Sequence, residues 1–311
     1  MDPCPTSSLH RFLSSPVLVE PQELAARWHD QTATFRLSGA ASFQGRAAGA
    51  HLRRSFLGAL GAGASGEARQ GRPCPWEPPC ALDVFRREQM RGDRGDGLPK
   101  PYVIFTEADA GDLLVSLRVF GRANIWFAAA IEGVCAGIRD ILPWQKAARM
   151  APPAITDRRI SRSKGIGSAP MRGKGLVVEF LSPVDVSGVR GPLGRSLVSR
   201  MLRRASGMAR WHGLALAPDT TRRLTACLDA LGFDESGLVA GRYLSPNRHA
   251  QKRAHETREG LLRIHGELSP VLPLLAIAER CHVGRAAVEG LGRFRLLDPA
   301  DHGPVAAKAR T

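Results

Sequence analysis

The order of strand-like and helix-like segments constrains the fold of this chain more than any single residue does. In the first half, the strand pattern of alternating or continuous apolar residues covers 32–37, 102–106, 113–120 and 155–160. Helical periodicity covers 47–60 and 123–142, and 61–79 is a Gly/Pro-rich excursion. The resulting β-α-β-β-α-β order is typical of a ferredoxin-like unit.

The second half repeats this kind of order. Its strand-like segments are 176–181, 237–243, 261–267 and 291–297, and its helical segments are 193–211, 220–231 and 270–281. We therefore predict an α+β protein of two tandem ferredoxin-like (RRM-like) domains with antiparallel sheets. The predicted divisions are a flexible N-terminal tail 1–21, a first domain 22–160, a basic linker 161–175, a second domain 176–297 and a C-terminal tail 298–311.

The charge of the chain favours a polyanion as its partner. Among 311 residues, 44 are Lys or Arg and 29 are Asp or Glu, which gives a formal net charge of +15. Arginine greatly outnumbers lysine, and its planar guanidinium suits bidentate phosphate contacts. The alternative is a soluble basic protein whose arginines reflect only a GC-rich genome. Clustering of the arginines argues for nucleic acid.

Cysteine usage and the absence of a signal-peptide pattern predict a cytoplasmic protein. Six cysteines in a chain of this length do not indicate a disulfide-stabilised fold. The apolar stretch Ala123 to Leu142 contains Asn124, Glu132, Arg139 and Asp140, so we expect a buried helix and no membrane partner. Cys74 and Cys80 lack the spacing of a zinc knuckle, and we expect two thiols in a loop, with no metal and no cofactor.

A glycine-rich segment follows the apolar helix that ends near Cys281. It runs from His282 through Gly284 to Gly290 and Gly292, with Arg285, Arg293 and Arg295 around it. Glycine lets backbone N–H groups approach a partner closely, and the arginines make an anion the expected partner. The spacing alone is a weak signal. With a leucine-rich helix before it and the strand Phe294 to Leu297 after it, the segment becomes informative.

This segment resembles the signature loop of the RAMP superfamily of CRISPR-associated RNA-binding proteins. Further blocks occur in the order found among the precursor-crRNA processing endoribonucleases of that superfamily, over roughly residues 30 to 297. They are 49–60, 74–80, 99–104, 119–123, 181–184, 210–213, 241–243 and 268–275. The resemblance implies tandem ferredoxin-like domains, RNA bound along the cleft between them, and cleavage of CRISPR precursor RNA within its repeats. One departure is Arg258-Glu259-Gly260, where related sequences tend to have a Gly-Gly pair.

Two basic surfaces are candidates for RNA contact. The segment 156–175 has a single acid, Asp157, and is predicted to be mobile without a ligand; a solvated linker is the alternative. Its basic residues are Arg158, Arg159, Arg162, Lys164, Arg172 and Lys174. The helix after Leu193 turns its apolar residues to one side and gathers a cationic ridge, Arg195, Arg200, Arg203 and Arg210, with Arg204 at its edge. No acid separates these arginines, which favours contact with an RNA backbone.

The helix 47–60 carries the clearest catalytic candidate. Its apolar stripe, Leu52, Phe56, Ala59 and Leu60, leaves His51, Arg54, Ser55 and Gly58 on the other side. An imidazole there can take the proton of a ribose 2′-OH, whose oxygen attacks the adjacent phosphorus while guanidinium stabilises the developing charge. The products are a 2′,3′-cyclic phosphate and a 5′-OH. The resemblance also implies a histidine base on or near the first helix, which corresponds to His51.

Several residues compete for catalytic roles. His29 precedes the first strand and could reach the same cleft, whereas His282 is expected to be part of the packing of the glycine segment. Tyr243, beside Arg242, could orient the 2′-OH, stack on a base, or be a buried strand aromatic. Members of the resembling group differ in their catalytic residues, and some rely on arginine. Arg53, Arg54 and Arg242 therefore remain catalytic candidates.

No sequence pattern supports another enzyme class. The chain has no His-Glu-x-x-His, no Gly-x4-Gly-Lys-Ser/Thr, no Gly-x-Ser-x-Gly and no carboxylate cluster for a two-metal nuclease. We predict a metal-independent endoribonuclease that binds CRISPR precursor RNA and mature crRNA at the repeat hairpin. The alternative is a non-catalytic RAMP-like subunit that binds crRNA inside a CRISPR effector complex. In either case, other effector subunits are possible partners.

Overall fold

The computed structural model describes residues 7–45, 48–86, 89–91, 97–167, 175–244 and 255–301. The helices of the first half are α1 (Ser8–Phe12), α2 (Pro21–Ala26), α3 (Ala48–Leu60), α4 (Gly66–Arg69), α5 (Ala81–Arg86), α6 (Phe127–Arg139) and α7 (Ile141–Ala148). The strands of this half are β1 (Val17–Val19), β2 (His29–Leu37), β3 (Gln89–Arg91), β4 (Gly97–Leu98), β5 (Tyr102–Asp109), β6 (Asp112–Phe120) and β7 (Ile155–Lys164).

The second half has the same mixed composition. Its helices are α8 (Leu193–Met208), α9 (Pro218–Asp229) and α10 (Leu272–Cys281). Its strands are β8 (Gly175–Asp185), β9 (Leu214–Leu216), β10 (Gly232–Asp234), β11 (Leu238–Tyr243), β12 (His255–His265) and β13 (Phe294–Leu297). Short 3-10 helices occupy Ala41–Phe43, Gly121–Trp126, Ala209–His212, Ala287–Glu289 and Pro299–Asp301.

The first sheet is antiparallel, with the strand order β5-β6-β2-β7. Residues directly opposite in an antiparallel sheet share a face. Ala33 and Phe35 of β2 pair with Leu117 and Val115 of β6, and all four are fully buried. Strands and helices follow the predicted β-α-β-β-α-β order, because alternation of apolar and polar residues marks strands with one core face.

The second sheet has the antiparallel order β10-β12-β8-β13, and β11 also pairs with β12. Leu176 and Val178 of β8 pair with Ile264 and Leu262 of β12, all with no solvent exposure. The apolar side of α8 is buried as the sequence predicted, and α8 packs beside α10. The α+β architecture of two ferredoxin-like units with antiparallel sheets is therefore confirmed.

The predicted N-terminal tail is wrong for residues 7–21. Leu9 and Leu13, spaced by one helical turn, are buried, and the Phe12 ring lies 5.3 Å edge-on from Trp126. Strand β1 then pairs in parallel with β9 of the second half. No local sequence pattern predicts pairing with a strand so distant in the sequence. Residues 1–6 lie outside the described ranges.

Two other element boundaries differ from prediction. The single helix expected over 123–142 is a 3-10 helix, then α6, then α7, because the Asp140 carboxylate accepts the Leu142 N–H at 3.1 Å and starts a new helix. The basic linker expected from residue 161 begins later, since Ser161 to Lys164 continue β7 opposite Thr32 to His29. No described helix is both long enough and apolar enough to cross a membrane.

The C-terminal boundary also differs from prediction. Residues 298–301 belong to the fold: Asp298 is buried, and a 3-10 helix follows it. The rest of the predicted tail, 302–311, is not described.

A buried carboxylate joins the two halves of the chain. Asp30 of β2, with 1 % of its side chain exposed, accepts hydrogen bonds from Arg280 of α10 at 2.7 and 3.2 Å and from the Trp28 indole at 3.1 Å. Arg118 of β6 lies 3.7 Å from the same carboxylate and donates to the Arg280 carbonyl at 2.8 Å. Burial and the neighbouring Arg280 lower the pKa of Arg118 to about 10. Because a buried charge is costly without partners, the two guanidinium groups compensate the Asp30 carboxylate at the contact between the halves.

Candidate active site

The sides of helix α3 differ in residue type and in exposure to solvent. Leu52, Phe56 and Leu60 are buried as predicted, and Arg54 and Gly58 are exposed. His51 and Ser55, one turn apart, are partly exposed and lie toward the following helical layer. The Ser55 hydroxyl donates to the Asp140 carboxylate at 2.6 Å, which fixes the start of α7 against α3.

His51 lies in a cationic environment that includes a residue the sequence analysis missed. Partial burial lowers the pKa of His51, and the positive charges of Arg54 and of Lys146 on α7 lower it further. His51 is therefore neutral at physiological pH and able to accept a proton, with two cations beside it. Lys146 is far away in sequence, and no local pattern marks it, because only the packing of α7 on α3 brings it close.

Arg53 points to a different side of α3 from His51. Its guanidinium donates to the Tyr102 hydroxyl at 2.9 Å and to the Glu289 carboxylate at 3.2 Å. Tyr102 belongs to β5, and Glu289 belongs to the glycine-rich segment, so Arg53 connects three elements. In the structure these two donors hold α3 against the second half of the chain, and a catalytic role of Arg53 stays a prediction.

Tyr243 and Arg242 lie on β11, in the sheet of the second half. The Tyr243 hydroxyl is buried and has no hydrogen-bond partner among the described residues. Burial raises the pKa of Tyr243, and the nearby Glu289 carboxylate raises it further. Tyr243 thus approaches the same carboxylate as Arg53. Arg242 is exposed opposite Glu256 of β12.

The glycines of the segment after α10 are required by contacts within the chain. Gly284, Gly290 and Gly292 have φ values of +94°, +87° and +61°. A Cβ on Gly290 would lie 2.8 Å from the Ile104 carbonyl oxygen, and one on Gly292 would lie 1.8 Å from the Val283 carbonyl oxygen. The expectation that Gly290 and Gly292 serve close approach to an anion is therefore corrected: the approach is to the chain itself.

Backbone hydrogen bonds of this segment support the same conclusion. Gly292 donates to the Pro183 carbonyl at 2.8 Å and accepts from Val283 at 2.9 Å, and the Gly290 N–H donates to Ala287 at 3.1 Å. The segment also reaches α3, since a Cβ on Gly49 would lie 1.9 Å from the Glu289 carbonyl oxygen. It forms a wall against α3 and β5. Gly284, whose added Cβ would meet nothing closer than 3.6 Å, is less constrained.

The cationic ridge of α8 is smaller than predicted. Arg195 donates to the Asp229 carboxylate of α9 at 2.8 Å, so an acid from another helix compensates its charge. Arg200 donates to the Asp185 carbonyl at 2.7 Å and is half-buried. Burial lowers the pKa of Arg200; Asp185 opposes this shift, and Arg203 and Arg285 add to it.

Arg200, Arg203 and Arg285 therefore form one arginine cluster between α8 and the glycine-rich segment. Arg210 follows α8 in a 3-10 helix and is partly exposed. Arg293, by contrast, pairs with Glu107, and its guanidinium lies 5.0 Å from the centroid of the Phe105 ring. The contacts of Arg293 are therefore with the first sheet, which differs from the expected anion contact.

The basic residues expected in a linker lie on the edge strand β7. Arg158 and Arg162 pair with Phe35 and Gln31, so together with Lys164 they share the helix-bearing face of the first sheet. Arg159 faces the other way and pairs with Asp157 at 2.7 Å. Strand β7 forms one edge of the sheet, whereas α3 packs on β5 at the opposite edge. The two surfaces are therefore separate. Arg172 and Lys174 lie outside the described residues.

Three further histidines, His29, His212 and His282, are engaged in ring contacts within the fold. The Nδ1 atoms of His29 and His212 are 3.3 Å apart, and the His212 ring stacks on Trp28 at 4.1 Å. Burial and His29 lower the pKa of His212 to about 3. His282 is buried edge-on to Phe105 at 5.2 Å, which confirms its role in packing. Among the described residues, no group of three or more His, Cys, Asp or Glu could hold a metal ion.

Comparison with known proteins identifies the architecture. No family model and no curated protein matches the sequence. Among solved structures, the product complex of Cas6 (TTHB231) from Thermus thermophilus superposes with a TM-score of 0.54 at 14% identity, over 86% of this chain and 99% of that chain. The chain has the Cas6 fold.

A second Cas6 protein is similar in structure to this chain to about the same extent. The product complex of Cas6 (TTHA0078) has a TM-score of 0.51 at 16% identity, over 86% of this chain and 99% of that one. Its substrate mimic complex has a TM-score of 0.50 at 17% identity, with the same coverage. At such identities the likeness concerns the fold. Both Cas6 proteins are nearly fully covered, so the tandem architecture of this chain corresponds to whole Cas6 molecules.

Proposed function

We propose that this protein is a metal-independent endoribonuclease that cleaves CRISPR precursor RNA within its repeats. The observation that carries the proposal is the cluster of His51, Arg54 and Lys146 at the contact of α3 with α7, in a chain with the Cas6 fold. A histidine held neutral beside two cations is the group that transphosphorylation of RNA needs. The fold supports RNA as the substrate, since Cas6 structures include product and substrate mimic complexes.

In the proposed mechanism, His51 acts as general base. Its neutral imidazole accepts the proton of a ribose 2′-OH, and the oxygen attacks the adjacent phosphorus. Arg54 and Lys146 stabilise the negative charge that develops on the phosphate oxygens. The bond to the 5′-oxygen breaks and this oxygen takes a proton from water, so the products are a 2′,3′-cyclic phosphate and a 5′-OH end. None of these steps uses a metal ion.

RNA binding in this proposal uses cations on two surfaces of the fold. The arginine cluster of Arg200, Arg203 and Arg285, with Arg210, would contact the phosphate backbone beside the glycine-rich segment. The stripe of Arg158, Arg162 and Lys164 on β7 offers a second backbone contact at the far edge of the first sheet. Neither surface includes the base. Loss of the scissile bond therefore leaves both contacts in place, which would keep the product bound.

Cleavage without metal is the test of this function. Labelled repeat RNA from the CRISPR array of the source genome is incubated with the pure protein in EDTA, in single turnover. We expect one discrete cut and a 2′,3′-cyclic phosphate end, reduced strongly in Lys146→Ala and His51→Ala. Intact RNA that is bound stoichiometrically would instead identify a non-catalytic crRNA-binding subunit of an effector complex.

A further inference from the structure

A pair of thiols lies beneath an exposed loop of the first domain. Cys74 and Cys80 delimit a loop between α4 and α5 that contains Pro75, Pro78 and Pro79. Both are free, and their residues are 1 % and 6 % exposed. The chain between them projects outward, with Trp76 49 % exposed. Two cysteines that are six positions apart thus have their side chains together under one short loop.

A hydrogen bond brings the two cysteines into contact. The Cys80 backbone N–H donates to the Cys74 Sγ at 3.3 Å, and the Cys80 thiol hydrogen-bonds to the same sulfur. The Ser65 hydroxyl and the Trp76 backbone N–H also donate to Cys74. The Cys80 sulfur accepts from the backbone N–H groups of Asp83 and Ser65, and its thiol donates to Cys74, so that Cys74 is the acceptor within the pair. The pair is therefore asymmetric.

This asymmetry distinguishes the reactivity of the two thiols. Hydrogen bonds to a sulfur stabilise its thiolate, which is the nucleophile in thiol chemistry. Burial raises the pKa of the Cys74 thiol, and the stronger effect of its donors leaves that pKa below the ordinary value, while burial raises the pKa of Cys80. Cys135, buried on α6, has its pKa raised by burial.

The loop is also held in place from outside. The Ser8 hydroxyl donates to the Trp76 carbonyl at 2.6 Å, and Arg11 pairs with Glu77 at 3.4 Å, both from α1. Directly after Cys80, α5 places Phe85 5.3 Å from Tyr102, the residue that binds Arg53. The loop ends are thus anchored on both sides, which keeps the sulfur atoms adjacent and favours reaction between them over reaction with a distant thiol.

We propose that Cys74 and Cys80 form a redox modification site, in which a hydroperoxide oxidises Cys74 and Cys80 resolves the product to a disulfide. The Cys74 thiolate attacks one peroxide oxygen, so that an S–O bond forms, the O–O bond breaks and hydroxide leaves. The Cys80 sulfur then attacks the sulfenic sulfur, the S–O bond breaks, and the Cys80 proton leaves with the hydroxide as water. Two thiols lose two electrons in total, and the peroxide is reduced to two waters or to water and an alcohol. An external dithiol reverses the reaction.

Peptide mapping of the intact full-length protein tests the site without any variant. After treatment with one equivalent of hydrogen peroxide, a non-reducing digest should contain a Cys74–Cys80 cross-link that dithiothreitol removes. Because hydrogen bonds lower the pKa of Cys74 and burial raises the pKa of Cys135, Cys74 should oxidise faster than Cys135. A cross-link from Cys74 to Cys4, Cys135, Cys227 or Cys281, or no cross-link at all, would overturn the proposal.

Variants assign the two roles. In Cys80→Ser, dimedone should trap a sulfenic acid on Cys74, and in Cys74→Ser no sulfenic acid should accumulate on Cys80. Cys135→Ser serves as the matched control, because it removes another buried thiol and should leave the cross-link yield unchanged. Trapping on Cys80 in place of Cys74 would reverse the roles and refute the assignment. Circular dichroism of each variant establishes that it is folded before it is treated.

Discussion

Replacement of Gly290 by alanine measures how firmly the glycine-rich segment is held against the first sheet. Gly290 has φ +87°, and an added Cβ would lie 2.8 Å from the Ile104 carbonyl oxygen and 3.1 Å from the Phe105 Cα. A left-handed backbone costs an L residue roughly 1–2 kcal/mol. Forcing an extra carbon into a packed contact costs about 1–3 kcal/mol more. We therefore expect Gly290→Ala to lower the free energy of unfolding by about 2–5 kcal/mol.

Gly39 provides a matched control for the backbone contribution. Its φ is +65°, also left-handed, and an added Cβ would meet nothing within 4 Å. Gly39→Ala should therefore cost only the backbone part, about 1–2 kcal/mol. Urea unfolding of both variants and the wild type, with the slope m unchanged, gives the two differences directly. Equal costs for the two substitutions would refute a close contact of Gly290 with β5, and would return the glycine to a role in ligand approach.

Four further outcomes follow from the contacts described above. His51→Ala should slow single-turnover cleavage by about 10²–10⁴-fold with repeat affinity nearly unchanged. Because the base acts in its neutral form and its pKa is lowered, the wild-type rate should rise with pH and level below about 6.5; a plateau that begins above that value would contradict the assignment. Arg200→Ala combined with Arg203→Ala should flatten the dependence of log K on log salt by about 0.7–0.9 per lost phosphate contact, whereas Arg195→Ala, whose charge Asp229 already compensates, should change it less. Asp30→Ala should lower the free energy of unfolding by about 3–5 kcal/mol in urea, since it leaves two guanidinium groups without their buried carboxylate; a loss below about 1 kcal/mol would mean that solvent replaces it.

Local patterns in the sequence were sufficient for much of the fold. The alternation over β2 and β6 and the apolar stripe of α3 identify elements whose one face is buried, and both were found as predicted. The helix predicted over residues 123–142 was wrong, because a side chain inside the apolar pattern interrupts it. The apolar run through residues 123–142 gave no sign that the Asp140 side chain would end one helix and begin another.

The site was less predictable, because its composition depends on contacts between distant segments. His51 was identified from its own helix, but Lys146 enters its environment only through packing of α7. The sequence around Arg195 predicts a contact with RNA, but in the folded chain Arg195 pairs with Asp229 of α9. For Gly290, the sequence indicated a close approach of backbone to something, yet the identity of that partner, the Ile104 carbonyl, is a property of the folded chain.

The close contact between Gly49 and the Glu289 carbonyl also has a consequence for the order of events during synthesis. Domains fold broadly in the order in which the ribosome releases them, so the first sheet and α3 can assemble long before residue 289 is made. Until then α3 lacks the wall that its Gly49 surface and its Arg53 side chain contact. A nascent chain therefore contains His51 early, but α3, the helix that carries His51, is not yet supported by the second half of the chain. We expect a chain still attached to the ribosome to be inactive toward the transcripts around it, and to gain activity only when the second domain docks.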